Sequence, residues 1–344
     1  NPGYIGEATS KSFKFIDQIE VESPFMNKEA RNEIINYYIK KKNIKLAGDE
    51  EEQKLIKDHI NMLMEHSSYI GILTLLDKAK NVAKERKHKA VDKTDFTEAF
   101  LQLTTGRPAS AQEPQYRKEL VTSHECGHAT NGIIMEELAK KEKRPDHLGN
   151  TVNFITLDPR GSFGGAVFFS DALNSEWSFE KIFSELVVSF GGNSCEKHFY
   201  GQDGSWGITC DMAMASYSAS LATALMGQGK HFGKKSLNGM FFMSEKDKDN
   251  LNKDIDVMLT NAQLVSEAIT QVYEDFNKEF VKKYSGKVGT GECIIHREEF
   301  LKMLNEWRAK QPPEKQKEFE LLDKTILQVI DATKRGVKCK KQGE

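Results

Sequence analysis

The sequence predicts a mainly α-helical chain of α+β class carrying one small β-sheet, and three observations lead there. Apolar residues recur at helical spacing through most of the 344 positions, one stretch in the middle of the chain reads as β, and no internal repeat interrupts this order. Charged residues make up 29% of the chain and nearly cancel, to a formal net charge of -2. A chain so balanced has no global field to gather nucleic acid, and none is expected as a partner. The five cysteines (Cys126, Cys195, Cys210, Cys293, Cys339) are scattered and include no CxxC pair, as a reducing, intracellular compartment allows and a disulfide framework does not. No run approaches the roughly 18 to 20 apolar residues that cross a bilayer, so the chain as given is expected to be soluble. It begins at Asn1 without a signal-like leader and is expected to be a piece of something longer.

Residues 19–25, "IEVESPF", alternate as a strand does, and "NKEARNEIINYYIKKKNIKL" places Ile34, Ile35, Tyr38 and Ile39 at helical spacing. "AGDEEEQK" reads as a solvated turn or helix start. In "SSYIGILTLLDKAKNVAKERKHKA" the apolar stripe is Ile72, Leu75, Leu76, Ala79 and Val82, with Ser67 or Ser68 as N-cap. In "VDKTDFTEAFLQL", Asp92 can accept from the amides of the next turn and Asp95 complements the helix N-terminus, while Phe96, Ala99, Phe100 and Leu103 face inward. Residues 20–104 therefore read as a small helical module. "TTGRPASAQEPQY", with its Gly and two Pro, marks a linker over 105–116 between a first domain (1–104) and a second (117–344). The second opens with a long helix, about 117–143, followed by the β segment "NTVNFITLDPRGSFGGAVFF" with a Pro-Arg-Gly turn inside it. "SFEKIFSELVVSFGG" and "CDMAMASYSASLATALM" read as helices, and the C-terminal third as a helical layer ending in a basic polar tail.

The long helix carries "TSHECGHAT". Residues four apart on a helix share a face, so His124 and His128 can aim their imidazoles at one point with Glu125 beside them. Two neutral imidazoles and one further protein ligand suit zinc and leave a position for water, which a carboxylate kept off the metal can deprotonate. This HExxH arrangement is the zinc-protease signature, with Glu125 as the general base. The metzincin continuation is absent, because Asn131 and Ile134 stand where Gly and His are required. The third ligand must come from farther along the chain. The residues leave this open between Asp211 in "GITCDMAMAS" and Glu196 in "SFGGNSCEKHFYG", with His147 and His198 as weaker candidates.

"HECGHA", "VNFITLDPRGSFGGAVF", "SFGGNSCEKHFYG" and "GITCDMAMAS" together resemble, in order and spacing, the peptidase domain of the FtsH family of membrane-anchored AAA+ zinc proteases. The resemblance implies that His124, His128 and Asp211 bind Zn²⁺, that Glu125 is catalytic, and that Glu196 supports the site without binding the metal. "SSYIGILTLLDKAKNVAKERKHKAVDKTDF" resembles the helical lid behind the family's ATPase core, and "FIDQIEVESPFMNKEARNEII" the join between core and lid. The implied architecture is the end of an AAA+ core with its lid, then a mostly helical zinc peptidase with a small sheet. The implied activity is ATP-dependent cleavage of unfolded or membrane-associated proteins. The implied assembly is a homo-hexamer, anchored to a membrane through a segment outside this sequence, with its catalytic part in the cytoplasm or an organelle matrix.

Three features depart from the family. No GxxxxGK[ST] phosphate loop is present, so ATP is expected only on a core outside this chain. Lys11 and Lys14 stand where arginine fingers belong, and lysine lacks the planar fork that clamps a γ-phosphate. Asn193 replaces an arginine near Glu196. These departures sustain a second reading, a proteolytically inactive scaffold or chaperone that binds unfolded polypeptide. The β segment is expected to offer an open strand edge to an extended substrate. Cys126 and Cys210, which flank the presumed site, are expected to be small buried cysteines.

Overall fold

The computed structural model describes residues 27–340 apart from 66, 110–112, 144–150, 162, 171–176, 202–205, 241 and 292. The strand expected over 19–25, Lys11, Lys14 and His147 lie outside the described residues. Helices dominate the fold and a three-stranded antiparallel sheet completes it, in agreement with the class read from the sequence. The chain divides into two compact units, 1–100 and 101–344.

The first unit holds α1 (Lys28–Lys41), α2 (Glu50–Leu63), α3 (Tyr69–Glu85) and the first eight residues of α4 (Lys93–Thr104). Each starts where a short polar side chain satisfies an otherwise orphan amide. Asn27, Asp49 and Ser68 accept from Ala30, Glu52 and Gly71. At α4 the cap is reciprocal: Asp92 Oδ1 accepts from the Asp95 amide at 2.8 Å and Asp95 Oδ2 from the Asp92 amide at 3.1 Å. The expected stripe, Ile72, Leu75, Leu76, Ala79 and Val82, is buried, as are Ile35, Ile56, Ile60 and Phe96 of the other three helices.

The second unit is organised around α5 (Gln115–Lys141), 27 residues long and buried on every side along its middle. It packs on β1 (Thr151–Thr156), α6 (Phe179–Ser189), α7 (Gly191–Tyr200), α9 (Glu245–Val272) and α10 (Glu274–Tyr284). Between α7 and α9 lie α8 (Thr209–Ser220) and a π-turn, Leu221–Leu225, that continues it. The β segment is a hairpin of β1 and β2 (Ala166–Ser170), closed by mutual backbone bonds between Arg160 and Phe163 across Gly161 at φ 53°. A third strand, β3 (Ile294–His296), pairs with the other side of β1, so the sheet order is β2-β1-β3. Asp158, fully buried, places β3 by accepting from the amides of Gly289, Gly291 and Cys293 at 2.8 to 3.0 Å.

After α11 (Arg297–Ala309) the helical layer continues in α12 (Pro313–Lys334), packed on α9. Its Leu322, Ile326, Val329 and Ile330 lie at i, i+4, i+7 and i+8 and are buried, while lysines and acids fill the other faces and mask the stripe in the composition. Among the described residues no helix is long and apolar enough to cross a membrane.

Candidate metal centre

His124 and His128 sit on the buried middle of α5, one turn apart, with their rings edge to face at 4.7 Å between centroids. Each ring is held from behind. His124 Nδ1 donates to Glu196 Oε1 at 2.8 Å, and His128 Nδ1 donates to the carbonyl of Val188 at 2.7 Å. A proton fixed on each Nδ1 turns each Nε2 toward the other, 3.0 Å apart.

Asp211, in the first turn of α8, completes the group. Its Oδ2 lies 3.3 Å from His124 Nε2 and 3.4 Å from His128 Nε2, and it is buried without a hydrogen-bond partner of its own. The three ligand atoms lie within 4.8 Å of one another. Zinc bonds of about 2.0–2.1 Å place tetrahedral neighbours roughly 3.3 Å apart, close to the spacing of these atoms. The donor set of two imidazole nitrogens and one carboxylate oxygen fits zinc, and the orphaned Asp211 oxygen has the position of a ligand.

The electrostatics agree. Burial works against a charged His124, yet the neighbouring carboxylates of Asp211 and Glu196 outweigh it and push the imidazole up to about 10. Burial likewise opposes the Asp211 carboxylate, and the two imidazoles beside it hold it below the usual range. Three carboxyl groups, those of Glu125, Glu196 and Asp211, surround two imidazoles, an arrangement that favours a cation. Glu125 is 6% exposed, and burial raises its carboxyl above the ordinary range, partly offset by the neighbouring histidines.

Glycines let these elements meet. Gly127 and Gly191 bring the backbones of α5 and α7 into contact, and a Cβ at Gly191 would lie 2.6 Å from the His128 amide. A Cβ at Gly192 would overlap the His124 ring. A Cβ at Gly165, just before β2, would stand 2.9 Å from Glu125 Cγ. These glycines and the Val188 carbonyl do not stand out as site residues in the sequence; the paired glycines of "FGGN" and "FGGA" are their only trace.

The structure thus gathers His124, Glu125, His128, Glu196 and Asp211. It leaves His198 outside, in an exposed ion pair with Glu274 at 3.2 Å. Asn193 is buried beside the site with its Oδ1 unbonded. Cys126 is fully buried, whereas Cys210 is exposed, because Asp211 turns its own face of α8 toward the histidines and leaves its neighbour outward. In the first unit His88, Asp92 and Asp95 also come together. There Asp92 and Asp95 cap α4, and the Arg86 guanidinium, 3.4 Å from Asp95, already supplies the cation.

No family model matches the chain. The chloroplastic ATP-dependent zinc metalloprotease FTSH of Capsicum annuum is 27% identical over 171 residues, 48% of this chain and 24% of its own length. FTSH 1 of Arabidopsis thaliana, also a chloroplastic ATP-dependent zinc metalloprotease, is 24% identical over 209 residues, 58% of this chain and 27% of its own. The ATP-dependent zinc metalloprotease FtsH of Chloroflexus aggregans is 23% identical over 238 residues, 67% of this chain and 33% of its own. The matched stretches thus span about a quarter to a third of the length of these relatives.

Proposed function

Because the chain belongs, at the level of the family, to the FtsH ATP-dependent zinc metalloproteases, we propose that it is a zinc endopeptidase. In this reading His124, His128 and Asp211 hold the metal and Glu125 is the general base. The observation that carries it is the convergence of two Nε2 atoms and Asp211 Oδ2 at 3.0 to 3.4 Å, with each Nδ1–H engaged behind. A bound zinc supplies Lewis acidity and lowers the pKa of a coordinated water to about 7. Glu125 takes a proton from the attacking water on a carboxylate oxygen and delivers it to the departing amine nitrogen. Its raised pKa makes the carboxylate a stronger base, and activity falls as pH drops through that raised value.

Substrate enters as an extended chain. Among the described residues β2 pairs with β1 alone, so its outer edge can take a further strand by main-chain hydrogen bonds. Gly165, which leads into that edge, lies against Glu125, so a peptide paired there passes the base. Unfolded or membrane-associated proteins fit this demand, delivered by a coupled hexameric ATPase ring whose nucleotide core and membrane anchor lie outside this sequence. That ring presents the catalytic part to the cytoplasm or an organelle matrix.

The test is digestion of an unfolded, fluorophore-labelled protein by the chain, with zinc content measured alongside. Wild type is expected to bind about one zinc and to cut. Glu125→Gln is expected to lose about 10²- to 10⁴-fold in rate and keep its zinc. Asp211→Asn is expected to lose zinc as well as activity. Full activity in Glu125→Gln would sink the mechanism, and a protein that binds unfolded chains without zinc would be the scaffold instead.

A further inference from the structure

Two carbonyls at the end of α6 receive side chains from the motif helix. The last carbonyls of a helix have no donor within it, and α6 stops at Ser189, separated by Phe190 alone from the start of α7 at Gly191. Val188 O accepts from His128 Nδ1 at 2.7 Å, and Val187 O accepts from Asn131 Nδ2 at 2.8 Å. Asn131 lies three residues beyond His128, on the same side of α5. It is 1% exposed, and its amide nitrogen donates a second bond, 2.8 Å to Ser266 Oγ on α9. Ser266 in turn meets Ser194 Oγ of α7 at 2.7 Å. A carbonyl can only accept, so the Asn131 nitrogen must face Val187. One buried amide therefore ties together α5, α6, α7 and α9.

We propose that Asn131 is a positioning residue for His128, holding the end of α6 so that the Val188 carbonyl fixes the proton on Nδ1 and leaves Nε2 for the metal. The proposal rests on the reading of His128 as a metal ligand. A carbonyl one residue from an anchored one has little freedom to swing away, whereas an unanchored helix end frays. An amide nitrogen buried this deeply is unfavourable unless hydrogen-bonded, and both bonds of Asn131 Nδ2 are made, one of them to the residue next to Val188, while its Oδ1 is buried without a partner.

The full chain with ¹⁵N-labelled histidine supplies the test, first metal-free and then titrated with zinc against a chelator. Solvent exchange of the His128 Nδ1–H is compared with that of His124, whose Nδ1–H is held by the Glu196 carboxylate of α7 and not by a carbonyl of α6. Asn131→Val is expected to speed exchange at His128 at least about tenfold, leave His124 unchanged, and weaken zinc binding about 10- to 100-fold. Unchanged exchange at His128 in the folded variant, or equal change at both histidines, overturns the proposal by making Asn131 structural only. Should Asn131→Val not fold, Ser266→Ala carries the test, since it removes the second anchor of the amide. Exchange at His128 raised about threefold or more supports the proposal, and unchanged exchange overturns it. A wild type that binds no zinc would overturn the metal reading, and the metal-free exchange comparison would still decide this one.

Discussion

At the scale of the residue, the two histidines carry the same bond on the same nitrogen to different acceptors, a carboxylate for His124 and a backbone carbonyl for His128. This asymmetry has a pH consequence. His124, raised to about 10, is protonated at neutral pH in the metal-free protein, and zinc must displace that proton. The folded-state pKa lies above the unfolded value of about 6.5. His124 therefore stabilises the metal-free fold fully below pH about 6.5, and that stability is lost as pH rises toward 10. Calorimetric zinc titrations at pH 7.5 in buffers of different ionisation enthalpy are expected to show about one proton released, and zinc affinity is expected to rise with pH across this range. Zero proton release would mean that His124 is neutral. The HExxH residues were legible in the sequence because their spacing is the spacing of one helix face. Residue spacing alone did not choose between Asp211 and Glu196, and only the family resemblance implied Asp211, for a physical reason: both carboxylates touch His124, on opposite ring nitrogens, and spacing does not say on which side of a ring a carboxylate arrives.

At the scale of the element, the break between α6 and α7 does two things that an unbroken helix could not. It turns the Val187 and Val188 carbonyls toward α5, and it places Gly191 and Gly192 where α5 and the His124 ring need room. Gly192→Ala is expected to push the His124 ring aside and weaken zinc binding at least about tenfold, with helix content unchanged by circular dichroism. Restored stability when His124→Ala is added to Gly192→Ala would identify the ring as the clash, as a double-mutant cycle requires. The helices themselves were legible from apolar spacing and caps. The position of the break was not, because "SFEKIFSELVVSFGG" keeps its apolar period up to the glycines. Nor was β3 visible: three residues are too few to show a period, and their place depends on Asp158, more than a hundred residues earlier.

At the scale of the whole molecule, each compact unit has its own core, and the candidate metal centre belongs to the second. Chelation of the zinc-loaded protein is expected to lower the melting temperature of the second unit's transition and leave the first unit's where it was. The core of the second unit extends into α12. Ile326→Ala, a truncation at a fully buried site, is expected to cost about 2–5 kcal/mol, measured by denaturant unfolding. An effect under about 0.5 kcal/mol would mean that α12 is dispensable. The class and the helical character of both units could be read from periodicity, whereas the buried role of α12 hid behind its charged faces. The sheet, finally, has a consequence for selectivity. With β1 covered on both sides, the edge beside Glu125 is the five-residue outer side of β2, about 16 Å of backbone. A docking partner there must be extended over that length, and a segment still folded into its own helix or sheet has no free main-chain groups to offer. On the proposed reading, discrimination would fall on how readily a stretch of the target opens, not on which side chains it carries. Two targets with the same cleavage sequence would be cut at rates separated by their local opening equilibria, about tenfold for each 1.4 kcal/mol of local stability.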